Sequence, residues 1–376
     1  MKLGLLGAGT IGFGVCELAA RTTGIEVAKV LDRRDIPGLE GKITRDIAEI
    51  IDDPEIDAVV ELLGGVEPAH AWAVRAMRAG KHFVTANKLM VSEHLPELLS
   101  VARESGASFR FSPAVGGGIP YLFNLLRARR ADEIVEIGGI LNGTTNYMLD
   151  LMQTQGIAFD TALRLAREAG YAEADATQDV SGCDAKCKIT IAASIAWDGA
   201  VNKDHVLCEG IEAIAPFDIS VALSRAYACK LLARAGVVAD GVSAYVEPTL
   251  IPTDTVLANI RMVENCAFLR GANAGVQRFT GAGAGRYATA YAVMNDLIDI
   301  ERNPSAYPFS VSEERIEVKN ESEAHRYYVR GMMIPGGEEI AEGAYITPEI
   351  PVMRMHQLAG EARANGKDVF FAGIWD

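Results

Sequence analysis

The stretch KLGLLGAGTIGFGV, Lys2 to Val15, decides the fold of this 376-residue chain. An apolar run from Leu3 to Leu6 reads as a strand. It enters Gly7-Ala8-Gly9-Thr10-Ile11-Gly12, and a helix-like run follows from Phe13 to Arg21. This is G-x-G-x-x-G between a strand and a helix, the context that gives the motif meaning. Gly7 permits the tight turn, Gly9 lets a pyrophosphate approach the backbone, and Gly12 lets helix and strand pack closely. The helix amino terminus, at Thr10 and Ile11, offers free N–H groups and a positive dipole end to the phosphates. The next strand, Glu26 to Leu31, ends at Asp32, roughly 20 residues on, where an acid meets the adenosine ribose hydroxyls. The sequence therefore predicts dinucleotide binding. Asp32 favours NAD, whereas Arg33 and Arg34 beside it could grip the 2′-phosphate of NADP. The reading leans to NAD and leaves NADP open.

Strand and helix signals keep alternating after Asp32. Thr44 to Ile51 reads as helix and Ala58 to Leu62 as a buried strand. Glu67 to Ala79 reads as helix and Phe83 to Thr85 as a strand opening into Asn87-Lys88. Leu95 to Ser105 reads as helix and Phe109 to Phe111 as strand. Such alternation predicts a parallel, doubly wound sheet with ligands at the carboxyl ends of its strands. We assign this α/β, Rossmann-type domain to residues 1–120, joined again by a helix at about 286–302. A second, α+β domain follows over 121–285, then a tail over 303–376. In the second domain Glu133 to Leu141 reads as strand, Asn146 to Gln155 and Asp160 to Ala169 as helices, and Gly182 to Trp197 as a long helix. Further strands are expected at Val242 to Pro248 and Cys266 to Leu269.

The chemistry concentrates in GYAEADATQDVSGCDAKCK, Gly170 to Lys188. Glu173, Asp175, Asp179 and Asp184 precede Lys186 and Lys188. Asp184 and Lys188 stand four apart, so on a helix they share a face and can pair. A lysine steadied by a carboxylate can exchange a proton with a substrate oxygen, and neighbouring acids can hold a substrate ammonium.

These segments together resemble homoserine dehydrogenase. The resemblance rests on GAGTIG, on ELLGGVEPAHAWAVRAMRAGKHFVTANK, on GGGIP and on GILNGTTNYML. It continues through the Gly170 segment, PTLIP and GAGAGRYATAYAVMNDL, covering residues 1 to about 302. It implies hydride transfer between L-homoserine and L-aspartate 4-semialdehyde with NAD or NADP. By position it implies Lys188 as proton donor and Lys88 beside cofactor and substrate. Glu173 and Asp184 would bind substrate, with Gly143, Thr144, Tyr171 and Asp179 around them. Gly170, Gly283 and Gly285 would contact the cofactor. If Lys88 and Lys188 converge, each can lower the other's pKa. It also implies a homodimer built on the second domain's sheet, and a monovalent cation (Na+) on the carbonyls of Val115, Gly117 and Ile119.

Three features depart from the family pattern, the least of them Ala176 where a proline usually follows GYAEAD. Ser112 stands where members carry an acid of the cation site. HRYYVRG, His325 to Gly331, resembles the entry to a regulatory ACT domain, but the remaining chain is short for one. Alternative readings are a related dehydrogenase acting on another amino or hydroxy acid, and a non-catalytic dinucleotide sensor.

Composition excludes other classes. The net charge of −14 disfavours nucleic acid and anionic membranes as partners. Six scattered cysteines without a C-x-x-C pair read as reduced thiols. No signal peptide and no membrane-spanning run is read, so the expected location is cytoplasmic.

Overall fold

Leu3, Leu5 and Leu6 are fully buried in the first strand, β1 (Lys2–Leu6). A strand covered on both faces reads as a continuous apolar run, as this one does. The computed structural model describes residues 1–304, 309–312 and 314–375. The tail positions 305–308, 313 and 376 lie outside these. The chain divides into two units.

The first unit comprises Met1–Ala131, Ser194–Ala200 and Ala282–Arg315. It holds β1, β2 (Glu26–Leu31), β3 (Ile43–Thr44), β4 (Ala58–Glu61), β5 (His82–Thr85) and β6 (Phe109–Arg110). All pair in parallel, in the order β3-β2-β1-β4-β5-β6. This is the Rossmann strand order, whose reversal beside β1 makes the dinucleotide crevice. Helices α1 (Thr10–Ala19), α2 (Ala48–Ile51), α3 (Ala69–Arg78), α4 (Lys88–Ser105) and α5 (Tyr121–Ala128) alternate with the strands. The late helix Arg286–Arg302 returns to this unit. Its Ala290, Val293, Met294, Leu297 and Ile300 share one core with Leu3, Leu5 and Val15.

The second unit comprises Asp132–Ala193, Val201–Gly281 and Ile316–Asp376. Its ten-stranded sheet is mixed. At its heart β7 (Ile134–Ile140) pairs antiparallel with Tyr227–Val238 and Glu264–Gly271. Tyr227–Val238 forms a long hairpin with Gly241–Pro252 through a two-residue turn at Ala239-Asp240. Asp-Gly just after such a run is a hairpin signal. Helices α6 (Gly143–Gln155), α7 (Phe159–Glu168), α8 (Thr177–Val180), α9 (Cys183–Ala196) and α10 (Pro216–Ser224) complete the domain. Residues 316–376 cluster with this unit. Strand Phe370–Ile374 adds to the sheet parallel to Thr249 and Leu250, and Tyr327–Arg330 pairs antiparallel with it. Helix Val352–Ala364 packs its Met355, Ala359 and Ala362 with Tyr327, Val329 and Phe371.

Lys230, wholly buried in the hairpin, donates to Asn146 Oδ1 at 3.0 Å and the Ile260 carbonyl at 2.6 Å. Burial pushes its amine down to about 8. This bond ties α6, which carries Thr144, to the sheet.

Candidate active site

Asn142 organises the end of the second unit where β7 meets α6. It follows β7 and caps α6, its Oδ1 accepting the Thr145 N–H at 2.8 Å. The helix therefore starts at Gly143, three residues before the expected Asn146. The cap is Asn142, an ordinary N-cap residue type. The Asn142 amide then donates twice, to Asp179 Oδ1 at 2.7 Å and Asp184 Oδ2 at 2.9 Å. One side chain thus fixes a helix start and two carboxylates.

Asp184 lies in the first turn of α9, and Lys188 one turn on. Lys188 Nζ donates to Asp184 Oδ2 at 2.7 Å and to the Leu141 carbonyl at 2.6 Å. The two residues are only 4% and 8% exposed. A pair so sheltered from water interacts far more strongly than a surface ion pair. Two of the ammonium's three hydrogens are thereby directed at fixed oxygens, leaving one for a ligand. Burial raises the Asp179 carboxyl above its ordinary range, partly offset by the Asn142 amide. Thr144 Oγ1 donates to the Tyr171 carbonyl at 2.7 Å, anchoring the segment after α7. The exposed Tyr171 ring meets Tyr147 edge-on, centroids 4.9 Å apart.

Asn142, Asp179, Asp184 and Lys188 are thus one hydrogen-bonded group, with Thr144 and Tyr171 beside it. Glu173 is exposed on the turn between α7 and α8, and its main-chain carbonyl accepts Arg167 Nε at 3.4 Å. Gly143 is the first residue of α6, and Gly170 follows α7 with a left-handed φ of +75°.

In the first unit the glycine turn has the shape a pyrophosphate needs. Gly7 has φ +92°, and a Cβ on Gly12 would lie 2.2 Å from the Gly7 carbonyl oxygen. A Cβ on Gly9 would meet nothing within 4 Å, so space is open there. No side chain caps α1 at Gly9, and the helix end at Thr10 and Ile11 faces that turn without a carboxylate cap. The residues fit a bound dinucleotide diphosphate.

Asp32, at the end of β2, accepts the Ala8 N–H at 3.0 Å. Arg34 Nε and Nη2 each reach it at 3.1 Å. Those Arg34 bonds hold its carboxyl far below the usual range, so it is ionised. Arg33 is exposed. Lys88 is the half-buried first residue of α4, behind the cap Asn87, whose Nδ2 donates to the Gly65 carbonyl at 2.6 Å.

Gly117 and Gly283 come together: a Cβ on Gly117 would lie 2.5 Å from the Gly283 carbonyl oxygen. Gly285 precedes the helix Arg286–Arg302 with φ +114°. Nearby, the Ser112 N–H donates to Asp296 Oδ2 at 3.2 Å. Burial pushes Asp296 up to about 7, so it is a poor stand-in for the acid missing at 112. The Ile119 carbonyl is taken by the Tyr121 N–H at 2.7 Å. Among the described residues all six cysteines are free thiols, and no helix is long and apolar enough to cross a membrane.

Two family models match this chain. One, described as homoserine dehydrogenase, matches residues 120–298, and the other, the NAD-binding domain of homoserine dehydrogenase, matches residues 7–112. The homoserine dehydrogenase of Synechocystis is 39% identical over 331 residues, covering 82% of this chain and 76% of that protein. That of Pseudomonas aeruginosa is 39% identical over 320 residues, covering 82% and 74%. A crystal structure of a homoserine dehydrogenase from Thiobacillus denitrificans superposes with a TM-score of 0.89 at 30% identity, covering 100% of this chain and 98% of that one.

Proposed function

The chain belongs to the homoserine dehydrogenase family of NAD(P)-dependent oxidoreductases, and from that premise we propose that Lys188 is the proton donor and Asp184 its anchor and a substrate-binding acid. The observation that carries this reading is the buried Lys188–Asp184 bond of 2.7 Å, fixed in turn by Asn142 and the Leu141 carbonyl. The dinucleotide supplies a hydride to the aldehyde carbon of aspartate semialdehyde, or takes one back from homoserine. As the oxygen gains negative charge, the Lys188 ammonium stabilises it and then gives up a proton. Running in reverse, the amine accepts the hydroxyl proton. Asp179 and Glu173 are proposed as further partners for the substrate amino group, and Thr144 and Tyr171 as its outer wall. Lys88 is proposed to act beside the cofactor.

Replacing Asp184 with alanine is expected to raise KM for homoserine at least tenfold, because a carboxylate holding an ammonium contributes about 1.5–3 kcal/mol. Steady-state kinetics of the variant measure this. An unchanged KM excludes the substrate-holding role.

The ionised Asp32, only 10% exposed in its side chain, supports NAD as the preferred cofactor. Arg34 is already spent on Asp32 rather than turned toward a 2′-phosphate. We expect kcat/KM for NAD to exceed that for NADP with purified protein and L-homoserine. The opposite order would mean that Arg33 and Arg34 set the preference. A sodium ion on Val115, Gly117 and Ile119 would rest on carbonyls alone, without a charge from Ser112, so we assign it only a weak role. A homodimer through the second unit's sheet and a cytoplasmic location complete the proposal.

A further inference from the structure

Apart from the residues already assigned, the first unit gathers Glu67, His70, His94 and Glu97. Glu67 lies in the turn before α3 and His70 in the first turn of that helix, while His94 and Glu97 are three apart on α4. Helix α4 departs from helical geometry at His94, with φ −122° and ψ 15°. There the imidazole of His94 stacks on that of His70, centroids 3.9 Å apart and planes 20° apart. Glu97 Oε2 lies 3.0 Å from His70 Nε2 and 3.4 Å from His94 Nδ1. One donor atom from each of the three residues falls within 4.8 Å of the others.

The donor atoms are close enough to converge on one ion once the stacked rings, whose lone pairs lie in their planes, turn about their side-chain torsions to face it. A tetrahedral zinc ion with bonds of about 2.0–2.1 Å spaces its donor atoms roughly 3.3–3.5 Å apart. An outer partner is present as well. Glu67 Oε1 lies 3.1 Å from His70 Nδ1, the place where metal-bound imidazoles are oriented by a carboxylate. With Nδ1–H donated to Glu67, Nε2 presents a lone pair to Glu97 Oε2, which is itself an acceptor. A cation between the two satisfies both. The imidazoles are sheltered, at 16% and 30% exposure, while Glu97 at 50% leaves a path from solvent.

We propose that His70, His94 and Glu97 bind one divalent transition-metal ion of zinc's class, with Glu67 orienting His70 and the fourth position open to water. Two imidazoles and one carboxylate suit zinc better than the oxygen-seeking calcium or magnesium. The ion staples α3 to α4, the helix that begins with Lys88.

The test is calorimetric titration of the full chain, stripped with EDTA and desalted, with zinc chloride in a non-chelating buffer. One ion per chain is expected, at micromolar affinity or tighter. The H70Q/H94Q double variant should bind at least tenfold more weakly, as loss of ligands implies, with unchanged circular dichroism and unchanged homoserine oxidation. H205Q, at an exposed histidine elsewhere, and C208S should leave the isotherm as it is. Should the double variant fail to fold, E97Q carries the same expectation. No saturable binding by the unmodified chain, or equal affinity in the histidine variant, overturns the proposal. Loss of binding in C208S alone would place the ion on thiols and overturn it equally.

Discussion

Lys188→Met is expected to keep its affinity for the dinucleotide and to lose roughly 10²–10⁴-fold in kcat, the usual contribution of a positioned general acid. Methionine nearly preserves the length and apolar stem of lysine, so the packing of α9 changes little. What disappears is the ammonium that donates to Asp184 and Leu141 and would face the substrate oxygen. Removing the ammonium also leaves the Asp184 carboxylate buried without its counter-charge, although the Asn142 amide still donates to it. A paired variant, Lys188→Met with Asp184→Asn, removes that charge imbalance and should fold as well as the parent while remaining as slow. Lys188→Arg separates charge from proton transfer, since guanidinium keeps its charge but does not surrender its proton. It should recover stability without recovering turnover. The measurements are kcat with saturating homoserine and cofactor affinity by fluorescence titration. Turnover near that of the parent in Lys188→Met would remove Lys188 from the mechanism.

Part of this architecture is legible in the residues because the constraint is local. Gly7, with its left-handed φ, and Gly12, packed on the Gly7 carbonyl, must be glycine for local steric reasons, and Gly9 leaves room for a phosphate, so their spacing announces the first unit. Asp184 and Lys188 are legible because helical periodicity alone brings them to one face. Other features depend on partners far along the chain. Tyr227–Val238 carries ACKLLARA, residues with fair helix propensity, and is passed over by pattern alone. It becomes a strand because β7 and Gly241–Pro252 lie on either side of it. Asn142 looks like a simple cap, and nothing nearby says that its amide spans Asp179 and Asp184. A signal was available in Asn-Gly-Thr-Thr, where the first residue caps and the rest enter the helix. His70 and His94 are 24 positions apart and meet only because α3 and α4 pack together. Glu173 and Gly170 owe their proposed roles to the family resemblance, since the loop that carries them is exposed.

Glu247→Ala is expected to destabilise the second unit by about 3–5 kcal/mol, since it strands buried donors and opens a cavity. Glu247 is 1% exposed on the strand Gly241–Pro252. His325 Nε2 lies 2.9 Å from its Oε1, and His356 Nε2 lies 3.1 Å from its Oε2. His325 sits on the short strand before Tyr327–Arg330 and His356 on helix Val352–Ala364, so this single carboxylate fastens two elements of the last sixty residues to the sheet. Among the described residues His325 Nδ1 is buried without a hydrogen-bond partner, so loss of Glu247 would take the Nε2 contact from that ring as well. Burial alone would raise the Glu247 carboxyl, but the hydrogen bonds from His325 and His356 outweigh it and bring it from 4.5 to about 2. A carboxyl depressed on folding contributes stability that is complete above its unfolded value and is lost as pH falls toward the folded one. The Glu247 contribution should therefore be whole above about pH 4.5 and vanish between there and about pH 2. Urea unfolding followed at several pH values in that window measures it. The Glu247→Gln variant keeps the volume and one acceptor oxygen, so it should lose less stability than the alanine variant and show a flatter slope with pH. A Glu247→Ala protein within about 0.5 kcal/mol of the parent at pH 7, a margin usual for surface changes, would show that the imidazole pair does not hold the tail in place.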